Sequence, residues 1–394
     1  MKERILVLNG SFCEEPIIKK TKEMGYYVIT TGNAPELQGH KFADEYIACD
    51  YSDKDAILNL VKDNHIDGIV SCANDFGSIT ASYVAEKMGW PGHDTYETSL
   101  IMHHKNRFKK FCEENQIPSP LSVTFTKKDE AMEYIKTCQY PVIVKANDLT
   151  GGKGILRADD IYSAQKAIEN AFEKSRDKHI LIEPYISGEQ QTVVVFLANK
   201  KVISFCSNDC YSPINPYLIQ AETFPAKNID TIKQQMIDIA EFIAQKLQLC
   251  DGILGLQYIV SDGKPYIIET MRRCFGNQYL TLARKHTGFP WEEAYILASL
   301  GKECKHLQCN TEVMQYCGHH GIMVKKNGVI KNYTIEPEFA KHIFMKIEIN
   351  GPGKEITDYM NQRIAYLYYQ YSDGDEMRKA AERFNDMVHI EFEG

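Results

Sequence analysis

The stretch Tyr140 to Gly154 reads YPVIVKANDLTGGKG, and it narrows the choice of fold more than any other segment. Pro141 to Val144 has the composition of a buried strand. Lys145 closes that strand, and a polar turn leads into Gly151, Gly152, Lys153 and Gly154. Glycines so closely spaced let the backbone approach a ligand and aim successive N–H groups at an anion. Lys145 and Lys153 supply the positive charge that phosphate oxygens need. A hairpin with an exposed glycine turn has the same local composition, so the order of the surrounding segments must decide.

With 394 residues, 44% hydrophobic and 25% charged, the chain can bury the cores of two or three domains. A net charge of -8 argues against nucleic acid as the main partner, because that binding rests on a basic face. The twelve cysteines are scattered, not set at framework spacing. The start MKERILVLNG reads as a strand entry, and no apolar run reaches membrane-spanning length. Free thiols in a reducing cytoplasm are the expectation.

Residues 1 to about 93 alternate strand and helix patterns. Ile5 to Leu8, Tyr27 to Thr30 and Gly68 to Ser71 read as strands, and Glu14 to Met24, Asp53 to Asp63 and Gly77 to Met88 as helices. That order predicts a parallel, doubly wound sheet with ligands at the carboxyl ends of its strands. Asp75 and Phe76 lie at one such end, although Asp75 also fits the cap of the helix that follows. Thr95 to Asn115 is a helical stretch containing Lys105, and Ile117 to Pro120 is a rigid linker.

Two further blocks follow. In LIEPYISGEQ a strand ends at Glu183 and Pro184 stiffens the exit through Tyr185 and Ile186. Gly188 then turns the chain before Glu189, a hinge whose free backbone groups suit a planar heterocycle and whose carboxylates suit ribose hydroxyls. In GILGLQYIVSDGKPYIIETMRRCFGNQY two strands flank an Asp262-Gly263 turn. A three-residue loop, pairing Ser261 with Pro265, would set Gln257 opposite Glu269 on one face, whereas a two-residue loop would separate them. Oxygen ligands so placed suit Mg²⁺, and Arg272, Arg273, Gly276 and Asn277 come directly afterwards. Cys206/Cys210 and His319/His320 have no second pair at finger spacing, so they read as free thiols and structural imidazoles.

In this order the blocks resemble the ATP-grasp superfamily, on the biotin carboxylase and carboxylate–amine ligase side, over essentially the whole chain. The resemblance implies an α/β and α+β multidomain fold. It places a doubly wound pre-ATP-grasp domain at 1–93 and an ATP-grasp domain at 94–310, with a mobile lid subdomain at about 118–185. A small C-terminal domain at 311–394 would complete the grasp. It implies ATP contacts from Lys105, Lys145, the lid loop Gly151, Gly152, Lys153 and Gly154, the hinge Glu183, Pro184, Tyr185 and Ile186, and Glu189 at the ribose. Gln257 and Glu269 fall on the Mg²⁺ ligands and Arg273 on the arginine that steadies the acyl-phosphate, and Lys153 of the lid loop is the second implied catalytic residue. Asp75, Phe76, Arg272, Gly276 and Asn277 are the implied substrate-side residues.

Two positions depart from the pattern. Gln257 stands where most relatives have glutamate, as it also does in the carbamoyl-phosphate synthetase branch. Met271 stands where an asparagine usually completes the metal shell, and a thioether is a poor Mg²⁺ ligand. One or two Mg²⁺ ions, or Mn²⁺ in their place, are therefore expected with ATP. The implied activity is an ATP-dependent ligase joining a small-molecule carboxylate to an amine through an acyl-phosphate. A bicarbonate-using carboxylase and a catalytically weakened nucleotide-binding module stay open, as does a homodimer. Neither nucleic acid nor membrane is an expected partner.

Overall fold

A computed structural model describes residues 2–71, 73–149, 151–304, 306–307 and 315–393. Its first part is a four-stranded parallel sheet, in the order Glu45–Ala48, Tyr27–Gly32, Arg4–Leu8, Gly68–Val70. Ile5 to Leu8 are buried throughout, as a central parallel strand covered on both faces requires. The edge strand Glu45–Ala48 has no fully buried residue, so its sequence lacks the apolar run by which its neighbours were read. Helices Glu15–Glu23, Lys54–Asp63 and Asp75–Met88 accompany the sheet. Asp75 does not cap the last of these. Asn74 does, accepting from the Phe76 N–H at 2.9 Å, and Asp75 lies buried in the first turn.

The helical stretch expected from Thr95 to Asn115 divides at His104, whose backbone is extended. The pieces are Tyr96–His103 and Lys105–Glu114, so Lys105 opens a helix at the break. A small antiparallel sheet follows, ordered Val123–Phe125, Ile180–Pro184, Val142–Ala146, Ile155–Ala158. Val142, Val144, Ala158, Ile180 and Ile182 bury one face of it with Ala164, Ala167, Ile168 and Ala171 of helix Ile161–Lys174. That leaves Ile143, Lys145, Ile155 and Arg157 on the other face.

The largest sheet has eight antiparallel strands, beginning with Lys264–Met271, Gly252–Ser261, Glu189–Ala198, Lys201–Tyr211 and Ala221–Phe224. It continues without a break through Tyr316–Ile322, Ala365–Tyr371 and Ile343–Glu348. Lys201–Tyr211 was not anticipated because it buries polar residues such as Ser207 and Asn208 instead of alternating with apolar ones. Glu355–Ile356, Gly328–Ile335 and Val388–Phe392 form a three-stranded sheet near the carboxyl end. Among the described residues, no helix is long and apolar enough to cross a membrane, and every cysteine is a free thiol.

Candidate active site

The free face of the small sheet and one face of the large sheet enclose a cavity of about 660 Å³. The small sheet contributes Ile143, Lys145, Ile155 and Arg157, and the large one Gln190, Thr192, Gln257 and Ile259. Strand alternation accounts for both sets, since each residue lies two from the next on its strand. The same alternation corrects the expectation for Glu189. It is exposed on the opposite side from Gln190, and Gln190 takes the cavity position.

The metal-type pair reaches its place by a route different from the one expected. Asp262 and Gly263, both at positive φ, form a two-residue turn, and Ser261 pairs with Lys264. That register continues to Tyr258 opposite Ile267, where it alone would separate Gln257 from Glu269. One extra residue, Ile268, then bulges out of the ladder, and Gln257 pairs with Glu269 after all. Ile268 and Glu269 both line the cavity, as the two residues of a bulge can. Met271 lines it as well.

Cations converge on the same space. Lys105 Nζ donates to the Leu149 carbonyl at 2.6 Å and lies 3.2 Å from Glu269 Oε1. Lys145 is buried, with Nζ 2.6 Å from Glu183 Oε2, while Lys109 Nζ lies 3.5 Å from Glu183 Oε1. Burial pushes the Glu183 carboxyl up, but Lys109 and Lys145 outweigh it and hold the group below its usual range. Burial brings Lys109 down to about 8, against the pull of Glu183. Glu183 thus meets the cavity as a side chain that fixes Lys145, not only as hinge backbone.

Pro184, Tyr185 and Ile186 line the cavity. The Tyr185 N–H is not free, because it donates to the Pro141 carbonyl at 3.0 Å. Gly151 and Gly152 line the cavity, both at positive φ. A Cβ on Gly152 would come within 2.4 Å of the Tyr217 carbonyl oxygen, so only glycine lets the loop touch the segment 212–220. That segment also holds the small sheet, since Tyr217 Oη accepts from the Arg157 N–H at 2.6 Å. Lys153 is exposed and outside the cavity wall, and Gly154 is buried against Ala146.

Arg273, Gly276 and Asn277 form the other end of the cavity. Arg273 Nε donates to Asp75 Oδ1, and His103 Nδ1 lies 3.1 Å from the same oxygen. Burial raises the Asp75 pKa, but Arg273 and His103 overcome it and hold the carboxyl far below the usual range. Asp75 therefore anchors an arginine and does not itself line the cavity. Phe76 lies outside too, with the Arg176 guanidinium 5.1 Å from its ring. Arg272 turns away to Asp94, Nε to Oδ2 at 2.7 Å, and to the Ile253 and Cys250 carbonyls. Lys109, Gln190, Glu222 and Arg363 were missed. None sits in a recognisable motif, although Gln190 was one alternation step from Glu189.

Residues 103–215 match the family model described as phosphoribosylglycinamide synthetase, ATP-grasp (A) domain. Over that segment the chain is similar to an ATP-grasp domain. A carbamoyl phosphate synthase large chain of Clostridium acetobutylicum is 24% identical over 351 residues, covering 85% of this chain and 31% of that one. The chain thus spans about a third of the length of that curated relative. Among solved structures, an L-amino acid ligase from Bacillus licheniformis superposes with a TM-score of 0.84 at 15% identity, each chain covered to 100%. The biotin carboxylase domain of Hydrogenobacter thermophilus 2-oxoglutarate carboxylase, solved with MgADP, ADP and bicarbonate, gives 0.76 at 20% identity. It covers all of this chain and 91% of that one. At these identities the structural likeness establishes the ATP-grasp fold over the full length of the chain. Among the described residues, no cluster of three or more His, Cys, Asp or Glu side chains is arranged to hold a metal ion.

Proposed function

We propose that the chain is an ATP-dependent ligase that activates a carboxylate as an acyl-phosphate and transfers the acyl group to an amine. One observation carries this reading. A single cavity is lined by several isoleucines, two lysines and a glycine loop, an oxygen-ligand pair and an anchored arginine.

Ile143, Ile155, Ile186 and Ile259 would take the adenine, next to the Pro184–Ile186 hinge. Lys105, Lys145 and the N–H groups around Gly151 and Gly152 would hold the phosphates. The Gln257–Glu269 pair fits Mg²⁺, which would arrive with the nucleotide, take its remaining ligands from phosphate and water, and spread phosphate charge. Glu269 is the only carboxylate of that pair, and Met271 adds no useful ligand. A carboxylate is a poor electrophile, and phosphorylation gives it a good leaving group. Lys105 and Lys145 stabilise charge on the transferring phosphoryl group. Arg273, already oriented by Asp75, does the same at the acyl end. The segment 212–220, packed on Gly152, keeps water from the acyl-phosphate.

The test is phosphate release from MgATP by the purified chain with panels of carboxylates and amines. The ligase reading requires release that depends on an acid and an amine together. Release with bicarbonate alone would instead favour the carboxylase, the reading suggested by the likeness to the biotin carboxylase domain solved with bicarbonate. Nucleotide binding without release under any pairing would contradict both.

A further inference from the structure

Two charged side chains at the Arg273 end of the cavity have no use in that reading. Glu222 lies on strand Ala221–Phe224, and Arg363 directly precedes strand Ala365–Tyr371. Strand Tyr316–Ile322 runs between those two in the sheet. Glu222 is 2% exposed and accepts from Asn208 Nδ2 at 3.0 Å and from Asn277 Nδ2. Its register partner His319 brings Nδ1 to 3.2 Å from Oε2. Among the described residues, no lysine or arginine pairs with this carboxylate.

Arg363 is the reverse case. Its Nη2 donates to the Ile219 carbonyl at 2.6 Å, its Nε is buried with no hydrogen-bond partner, and no described carboxylate pairs with it. The Tyr366 ring lines the same cavity, 5.3 Å from the Arg363 guanidinium and 5.5 Å from the ring of His319, the register partner of Glu222. Arg363 lies tight against the strand between, because a Cβ on Gly321 would come within 2.8 Å of Arg363 Cδ. Arg273 is assigned to the acyl-phosphate in that reading and is already paired with Asp75, whereas Arg363 has neither an assigned role nor a carboxylate partner. An arginine without an anion and a carboxylate without a strong cation therefore face one space.

We propose that this end of the cavity receives the amine substrate as an α-amino acid zwitterion, with its carboxylate on Arg363 and its ammonium on Glu222. The proposal rests on the ligase reading. Glu222 takes one ammonium proton and becomes a neutral carboxylic acid, which frees the nitrogen lone pair. The nitrogen then attacks the carbonyl carbon of the acyl-phosphate, and a C–N bond forms. The bond from that carbon to the phosphate oxygen breaks, and phosphate leaves with the electron pair. The second nitrogen proton passes to the departing phosphate, leaving a neutral amide.

Calorimetric titration of the full chain, with Mg²⁺ and a non-hydrolysable ATP analogue bound, tests this directly. The titrants are the standard L-amino acids, then the carboxamide and the N-acetyl derivative of any that binds. At least one amino acid should bind, and each derivative should bind about tenfold or more weakly, because each leaves a charged group unpaired. Arg363→Ala should abolish the discrimination against the carboxamide and keep that against the N-acetyl form. Glu222→Gln should do the opposite, and such reciprocal behaviour excludes a general loss of fold. If a variant does not fold, the two discriminations of the parent chain alone decide. Analogue binding with no amino acid binding, or equal binding of the derivatives, overturns the proposal and leaves the ligase reading standing. Failure to bind the analogue itself overturns both.

Discussion

Lys145 is held in place before any ligand arrives, by a carboxylate it shares with Lys109. A preorganised cation loses little side-chain freedom when phosphate binds, so it should contribute strongly. Lys145→Met should weaken MgATP binding by roughly 2–4 kcal/mol, read by calorimetry, and an unchanged Kd would remove Lys145 from the site. Glu269 presents a second test at this scale, as the only carboxylate of the proposed metal pair. In a Mg²⁺ titration of phosphate release, Glu269→Gln should lower kcat/KM about tenfold more than Gln257→Ala does and raise the Mg²⁺ requirement. Equal losses would place the metal elsewhere. Lys105 and Lys145 were legible in the sequence as neighbours of this cavity, whereas Lys109, inside helix Lys105–Glu114, carries no such signal. Glu222 and Arg363 were not legible either, because their meaning comes from strands brought together on either side of one strand in the sheet, with residues 222 and 363 lying 141 apart in sequence.

Among the elements, the hairpin of Gly252–Ser261 and Lys264–Met271 shows where reading a sequence stops. The Asp262-Gly263 turn is announced by its residues, whereas the bulge at Ile268 has no residue signal, and the bulge is what sets Gln257 beside Glu269. The glycine loop was legible as a close-approach site, but its neighbour was not. That neighbour is Tyr217, from a segment between strands. Gly152→Ala would put a Cβ at positive φ and against the Tyr217 carbonyl oxygen. The strain should cost about 1 kcal/mol or somewhat more, lower the melting temperature only slightly, and cut turnover severalfold by displacing the loop. A folded variant with parental kcat and KM would show that the loop is only a turn.

At the scale of the whole molecule, the parallel sheet and the largest sheet share one apolar core, in which Ile5, Val7 and Val70 cluster with Val194, Phe196 and Ile253. The buried pair of Asp75 with Arg273 links helix Asp75–Met88 to the end of strand Lys264–Met271. The alternation of strands and helices made the parallel sheet legible, and the order of the later blocks made the grasp legible. The continuation of the large sheet through the last eighty residues runs over strand Ala365–Tyr371, whose sequence AYLYYQY shows no apolar–polar alternation. One histidine of that sheet, His320, sets a pH dependence. Burial, helped by His319 and Arg363, lowers its pKa from 6.5 to about 3. Between those values the unfolded chain binds the proton and the native chain does not. Stability present above pH 6.5 is therefore lost as pH falls, at up to about 1.4 kcal/mol per pH unit. His40, His93, His104 and His286 are also shifted down, chiefly by burial, and act in the same direction. Urea midpoints of His320→Leu from pH 7.5 to 5.5 should show a shallower slope than the parent, and an identical slope would refute the assignment.

The central claim is that the cavity makes an acyl-phosphate, and hydroxylamine tests it most directly. Hydroxylamine converts an acyl-phosphate to a stable hydroxamate without needing the natural amine. The chain should be incubated with MgATP, hydroxylamine and a carboxylate panel, and hydroxamate and phosphate measured together. The account predicts hydroxamate from at least one carboxylate, equimolar with phosphate and lost in Arg273→Ala and Lys145→Met. MgATP bound in the cavity, with no hydroxamate from any carboxylate, would contradict it.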